Sequence, residues 1–533
     1  QSMAYALLAG LPAEVGLYST ILPLIVYAIF GSSRTLSVAP MAIASLMTAV
    51  ALADIAEQGS SDYLSAAILL AFLSGVFLMV LGKLKLGFLA NFLSYPVISG
   101  FITASAIIIA LSQFKHLLGI TATGSNIYEL GYSLFENSYE LNIITVFIGF
   151  SVLIFLFLAG RYLEGVCLRL GMTKGLAQAL SKASPLLAVL VSISAVMLGN
   201  LDNQGVALVG SVKVGLPQLA LPVFSLDLMQ ALIGPAILIS IIGYVESVAI
   251  AKKLAATRQQ KIDENQELLA LGAANIASSF SSGFPVAGSL SRTTLNFNSG
   301  AVTQAASIYA SILVLLASIT LTPILYFLPK ATLAAIIVMA VTRLVDFSLL
   351  KKVWNFNRND FYGVFITLIA TLFLGVELGL VCGVSTSIFL VLYRTSKPHI
   401  AEVGLIEGTQ YFKNVNRHKV KTVPKILSLR VDESLYFANA GYLEEWLFKH
   451  LRSHPDLREV ILMCSAVNEI DYSALAILES INKRLESTNV SLNLSEVKGP
   501  VMDSLKETVF IQSLSGKVYL SQFQAYSELK SNL

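Results

Sequence analysis

The chain has 533 residues, 55% of them hydrophobic and 13% charged, with a net charge of +3. A mean hydropathy of +0.72 lies well outside the range of soluble globular domains and reads as a polytopic α-helical membrane protein. So small a net charge gives no argument for a nucleic-acid partner, and Cys167, Cys382 and Cys464 are too scattered for a disulfide framework or a zinc site.

Charge is unevenly spread, with 38 charged residues up to Lys397 and 31 in the much shorter remainder. The sequence therefore predicts a membrane domain over 1–397 and a soluble domain over 398–533. Gln1 already lies inside an apolar helical pattern with no initiator Met or basic leader, so some native N-terminal sequence is expected to precede it.

Fourteen apolar segments follow, starting near Gln1, Leu17, Pro40, Tyr63, Pro96, Asn142, Ser184, Leu226, Asn265, Ser289, Thr303, Ala331, Asp360 and Leu378. Several are too short to span a bilayer alone. With a cytoplasmic start and strict alternation, 17 Lys and Arg fall in inside connectors, from Arg34 through Lys252 and Arg343 to Lys397. Only Lys115, Lys213 and Lys330 fall outside, which predicts both termini in the cytoplasm.

Two segments carry a special start. Ser37-Val38-Ala39-Pro40-Met41-Ala42 and Gly283-Phe284-Pro285-Val286-Ala287-Gly288-Ser289 each place small residues and a proline just ahead of a short apolar helix. A helix beginning within the bilayer leaves its first N–H groups unsatisfied and partly positive, and two facing starts make an anion site. They are the third and tenth segments, seven apart, which predicts two seven-segment halves of opposite topology, a 7+7 inverted repeat. Taken singly, Pro40 and Pro285 would read as ordinary prolines at helix starts.

In the tail, Ile426–Val431, Glu459–Cys464 and Asn489–Leu494 read as strands, and Ala440–Leu451 and Ser473–Glu486 as amphipathic helices. The alternation favours a small sheet covered by helices.

Gln1-Ser2-Met3-Ala4-Tyr5-Ala6, Ala9-Gly10-Leu11-Pro12 and Gly16-Leu17-Tyr18 resemble the opening signature of the SulP family of anion transporters, the bacterial relatives of sulfate permeases and prestin. The resemblance continues through Ser37–Leu46, Gly243–Ala255 and Gly288–Asn296. It implies fourteen segments in core and gate domains, a homodimer, and a cytoplasmic α/β STAS domain. On the same match Gln1, Tyr5 and the backbone at Met41, Ala42, Ile43, Leu290 and Ser291 would border the substrate. The alternative for Gln1 and Tyr5, ranked second, is a helix-end polar group and an interfacial aromatic. In the tail, Ile470-Asp471-Tyr472-Ser473-Ala474-Leu475 is similar to the STAS loop that opens a helix. Tyr472 and Ala474 depart from its phosphorylatable pattern, so Asp471 and Ser473 read first as helix caps.

The polar residues of the membrane half leave alternatives. Ser289 and Ser291 can donate hydroxyls to an oxyanion or cap their helix; Arg292 can raise the positive potential or pair with a carboxylate. Glu246 is a lone carboxylate in an apolar stretch, costly to ionise, and is expected either to carry a coupling proton or to be held by Arg292 or helix N–H groups. Glu377 reads as a solvated loop charge. None of the five histidines clusters with cysteines, and Gly283–Gly288 lacks the P-loop lysine, so an enzyme, a metal site and a cofactor are not expected.

The expected function is secondary active oxyanion transport across a bacterial inner membrane, with proton-coupled sulfate uptake leading. Sodium-coupled bicarbonate uptake and dicarboxylate transport follow. A passive chloride channel, a nucleobase permease and a receptor signalling through the STAS domain are the rivals from other classes; Ser291-Arg292 speaks against the nucleobase permease.

Overall fold

The computed structural model describes residues 1–53, 55–88, 94–210, 215–320 and 322–532. The chain divides into two compact units, Gln1–Ser387 and Ile388–Leu533. Lys213, one of the three outside cations, lies outside the described residues.

The first half of the membrane unit runs α1 (Ser2–Leu8), α2 (Ala13–Phe30), β1 (Val38–Ala39), α3 (Ala42–Ala53), α4 (Ser61–Lys83), α5 (Tyr95–Leu118), α6 (Ile127–Glu136), α7 (Ile143–Leu158), α8 (Glu164–Arg169), α9 (Lys174–Lys182) and α10 (Ser184–Gly199). Its second half comprises α11 (Leu226–Thr257), α12 (Glu264–Phe280), β2 (Ala287–Gly288), α13 (Leu290–Asn298), α14 (Ala305–Thr320), α15 (Lys330–Thr342), α16 (Ser348–Phe356), α17 (Arg358–Leu374) and α18 (Val376–Ser396).

Helices begin close to each of the expected starts, yet among the described residues only six are long and apolar enough to cross a bilayer by themselves. Four more, α3, α10, α14 and α15, are apolar but shorter. The seven residues of α1 and nine of α13 rise only about 10 and 14 Å, against a hydrocarbon core of roughly 30 Å. Glu377 is not in a loop: it sits half-buried in the first turn of α18, correcting the solvated-charge expectation.

Local chemistry sets the helix ends. Ser60 and Ser94 accept hydrogen bonds from Tyr63 N and Val97 N, and Gly119 closes α5 in the left-handed conformation at φ 71°. Helices α4 and α12 touch backbone to backbone, since a Cβ on Gly75 would lie 2.7 Å from the Gly272 carbonyl oxygen. The apolar core gathers Leu69, Leu70, Phe101, Ile108, Leu333 and Ile337.

The second unit holds β3 (Ile400–Leu405), β4 (Phe412–Asn414), β5 (Ile426–Val431), α19 (Ala440–Ser453), β6 (Glu459–Met463), α20 (Tyr472–Glu486), β7 (Ser491–Ser495), α21 (Gly499–Leu505), α22 (Val509–Gln512), β8 (Val518–Tyr519) and α23 (Gln522–Ser531). Its strand order is β4-β3-β5-β6-β7-β8, parallel from β5 to β8 and antiparallel where β3 meets β4 and β5. Buried, nearly continuous apolar strands are what a covered parallel sheet requires, and Leu427, Leu429, Val460, Leu462, Leu492 and Leu494 supply its core. The Cys464 thiol, pushed up to about 12 by burial, belongs to that core and not to redox chemistry.

Candidate functional site

The site is built where the two broken segments meet. β1 and β2 pair antiparallel, Val38 with Gly288 and Ala39 with Ala287. Ser289 N donates to the Ser37 carbonyl (3.0 Å) and Ser37 N to Thr293 Oγ1 (3.0 Å). The crossing thus fixes the starts of α3 and α13 relative to one another, and the free N–H groups of both first turns remain for a ligand.

The loop ahead of α13 is clamped from α12. Buried Asn275 donates to the Val286 carbonyl and accepts from Val286 N, each at 2.9 Å. From α11, Ser247 accepts from Gly288 N at 2.7 Å. A Cβ on Gly288 would lie 2.8 Å from Ser247 Oγ, so only glycine permits the approach. The residue beside Ser247 is Glu246.

Glu246 is 8% exposed, its Oε2 has no hydrogen-bond partner, and it forms no ion pair among the described residues. The expectation that Arg292 or helix N–H groups hold it is therefore corrected. Arg292 turns instead to the other broken segment, donating from Nη2 to the Pro40 carbonyl at 2.5 Å, while its buried Nε and Nη1 have no partner among the described residues. It forms no ion pair among the described residues. The guanidinium thus sits on Pro40, two residues ahead of α3.

A cavity of about 260 Å³ opens beside these groups. Tyr5, Met41, Ala42, Ile43, Ser289, Leu290, Ser291 and Glu246 all line it. Gln1 and Arg292 do not; Gln1 reaches the site through Ser291, whose Oγ donates to Gln1 Oε1 at 3.3 Å. Ser289 occupies the N-cap position of α13 but its side chain makes no capping bond and lies 3.3 Å from Ser291 Oγ, which removes the capping role for that hydroxyl. Both hydroxyls face the cavity.

Sequence reasoning missed five of the lining residues. Thr294 comes from α13, and Ala340, Val341, Arg343 and Leu344 from the end of α15. Arg343 counted in the sequence only as an inside connector; no local pattern signals that the C-terminal end of α15 packs over the broken helices. Glu246 also borders a second, apolar space of about 20 Å³ lined by Val97, Phe101, Ile242 and Leu380, so the residue lines both the cavity and an apolar pocket.

In the second unit Asp471 caps α20, accepting from Ala474 N at 2.7 Å and from Phe437 N at 2.8 Å. Both oxygens are engaged by backbone, in keeping with the capping reading.

A multi-pass membrane unit with two broken helices facing one cavity, followed by a small α/β unit, defines a membrane carrier with an appended accessory domain. Residues 1–367 match the Sulfate permease family and residues 417–525 the STAS domain. Probable sulfate transporter 4.2 of Arabidopsis thaliana is 35% identical over 529 residues, which cover 97% of this chain and 76% of that protein. The chain belongs to the sulfate permease family and carries a C-terminal STAS domain. Its fold is similar to that of the murine Solute Carrier 26 family member A9 anion transporter in the inward-facing state, with a TM-score of 0.88 and 24% identity over 100% of this chain and 89% of that one. The transmembrane domain of the cyanobacterium bicarbonate transporter BicA aligns over 73% of this chain and 92% of its own, with a TM-score of 0.60 and 20% identity. Membership in a transporter family agrees with the expectation that the chain is not an enzyme.

Proposed function

We propose that the chain is a secondary active oxyanion transporter, a sulfate–proton symporter working by alternating access. The observation that carries this reading is the opening of Glu246 into the same cavity as the starts of α3 and α13. Backbone N–H groups at Met41, Ala42, Ile43, Leu290 and Ser291, with the hydroxyls of Ser289 and Ser291, hold the anion; Tyr5 walls it and Gln1 positions Ser291. Arg292 contributes charge through its seat on Pro40. An ionised Glu246 repels an anion across this cavity, so the proton and the anion bind together.

The antiparallel crossing of β1 and β2 supports two inverted seven-segment halves, fourteen segments in all, arranged as core and gate. The gate would contribute the α15 wall, and rocking it against the core would expose the cavity to one side and then the other. We take residues 1–397 as this transporter domain and 398–533 as a cytoplasmic STAS domain. The Lys and Arg bias supports both termini in the cytoplasm of a bacterial inner membrane, and the family resemblance supports a homodimer. Sulfate leads among substrates because the related plant protein is named a probable sulfate transporter.

The test is radiolabelled sulfate uptake into proteoliposomes under an inward proton gradient, and separately under an inward sodium gradient at uniform pH. Accumulation driven by protons is expected. No sulfate uptake, or uptake driven by sodium alone, overturns the reading in favour of sodium-coupled bicarbonate or dicarboxylate transport; current indifferent to both gradients would indicate a channel.

A further inference from the structure

The end of α15 away from the cavity carries a second concentration of positive charge. Helices α5 and α15 pack together in opposite directions, and at one end Asp346 N donates to Thr103 Oγ1 at 3.3 Å. From Thr103, twelve residues of α5 climb about 18 Å to Lys115, and α15 climbs a similar height back to Lys330. Lys115, its neighbour His116 and Lys330 therefore share one end of the helix pair.

All three are half-buried, and neither ammonium forms an ion pair among the described residues. Glu129, an acidic residue on the neighbouring α6, is engaged by Ser125 N and Oγ at 2.8 and 3.0 Å. The backbone segments that carry these residues are tied together. Lys330 N donates to the Ala207 carbonyl, Val209 N to that of Leu328, and Asn142 ties the end of α5 to the same loop through Leu118 and Gln204. The first turn of α15, which receives no side-chain cap, adds its own positive end. Like charges held together and partly desolvated cost stability unless an anion joins them.

We propose that Lys115, His116 and Lys330 form a second anion site that takes a free, multiply charged oxyanion such as sulfate at the end of the membrane unit opposite Arg343, capturing it ahead of the central cavity. Its binding chemistry is independent of the transport reading; its capture role rests on that reading and on the orientation proposed above.

The experiment uses the purified full-length chain and the double variant Lys115→Gln, Lys330→Gln. Without sulfate, the double variant melts at the same temperature as wild type or higher, because the repulsion is gone. Sodium sulfate raises the melting temperature of wild type by more than that of the double variant, whereas sodium chloride at equal ionic strength does not separate them. In cells, external sulfate uptake by the double variant shows a half-saturating concentration raised on the order of tenfold with the maximal rate kept, and Lys115→Arg, Lys330→Arg retains wild-type behaviour. Equal sulfate stabilisation of both proteins overturns the site. A separation produced by phosphatidylglycerol vesicles and not by sulfate assigns the cluster to a lipid headgroup and also overturns it. Failure of wild type to carry sulfate would sink the transport reading while the melting comparison still decides the site.

Discussion

Two carboxylates buried in the same membrane unit are treated in opposite ways. Glu267, fully buried in the first turn of α12, accepts from Tyr27 Oη (2.8 Å), Ser32 N (2.9 Å), Ser32 Oγ (2.7 Å) and Ser33 N (3.0 Å). Glu246, almost as deep, accepts no hydrogen bond among the described residues. Glu267 sits at a helix N-terminus, where negative charge is favoured, and pins the turn leading from α2 to β1. Its hydrogen bonds repay the cost of burying charge, so the group is structural and holds one broken segment in place. A carboxyl without a partner among the described residues, on a residue that lines both a cavity and an apolar pocket, destabilises the resting fold, and that cost is tolerable where loading and unloading a proton is the use.

The contrast is sharpest in stability. Glu267→Gln replaces one acceptor oxygen with an amide donor facing donors, and is expected to cost about 3 kcal/mol or more, since hydrogen bonds to a charged group contribute roughly 1.5–3 kcal/mol each. Thermal unfolding in detergent should show it as a large drop in melting temperature. Glu246→Gln should leave the melting temperature unchanged or raise it, since no hydrogen bond is lost; an equal drop in both variants would erase the distinction.

Asn275→Ala comes next. It orphans both polar groups of Val286 and should cost about 1–3 kcal/mol. Because Val286 leads into β2 and α13, the half-saturating anion concentration should rise as well, a shift that separates it from a purely structural loss. Saturation kinetics of uptake across sulfate concentrations would read it out.

The smallest effect lies in the second unit. Burial alone would raise Asp432, but hydrogen bonds from Arg430 and His399 hold its carboxyl below the ordinary range. A depressed carboxylate contributes stability above its unfolded pKa, near 3.9, which is lost as pH falls through the lower folded value. Asp432→Asn should remove that acid-labile contribution, about 1 kcal/mol or less for so exposed a cluster. Acid unfolding of the variant should then be shallower below about pH 4.

Sequence carried the parts of this account that are local. The small-residue and proline starts at Pro40 and Pro285 and the lone charge at Glu246 are visible without a structure. So are β5 and β6, as apolar runs. The hairpin of β3 and β4 escaped because β4 is three residues long and followed by a polar, basic loop; β8, with two residues, offers no period at all. Arg343 and Glu267 escaped for a different reason. Each acquires its role from elements far away in sequence: α15 brought to the cavity of the broken helices, and Ser32 and Tyr27 brought to α12. The partner of Arg292 likewise lies 252 residues away, at Pro40, where no local pattern could show it.

The central claim is that Glu246 links the proton to the anion. Proteoliposomes holding Glu246→Gln should be compared with wild type in two modes: sulfate accumulation under an inward proton gradient, and sulfate exchange with sulfate inside and out and no gradient. The account predicts that the variant loses gradient-driven accumulation while exchange continues. Accumulation equal to wild type across the same proton gradient would contradict it.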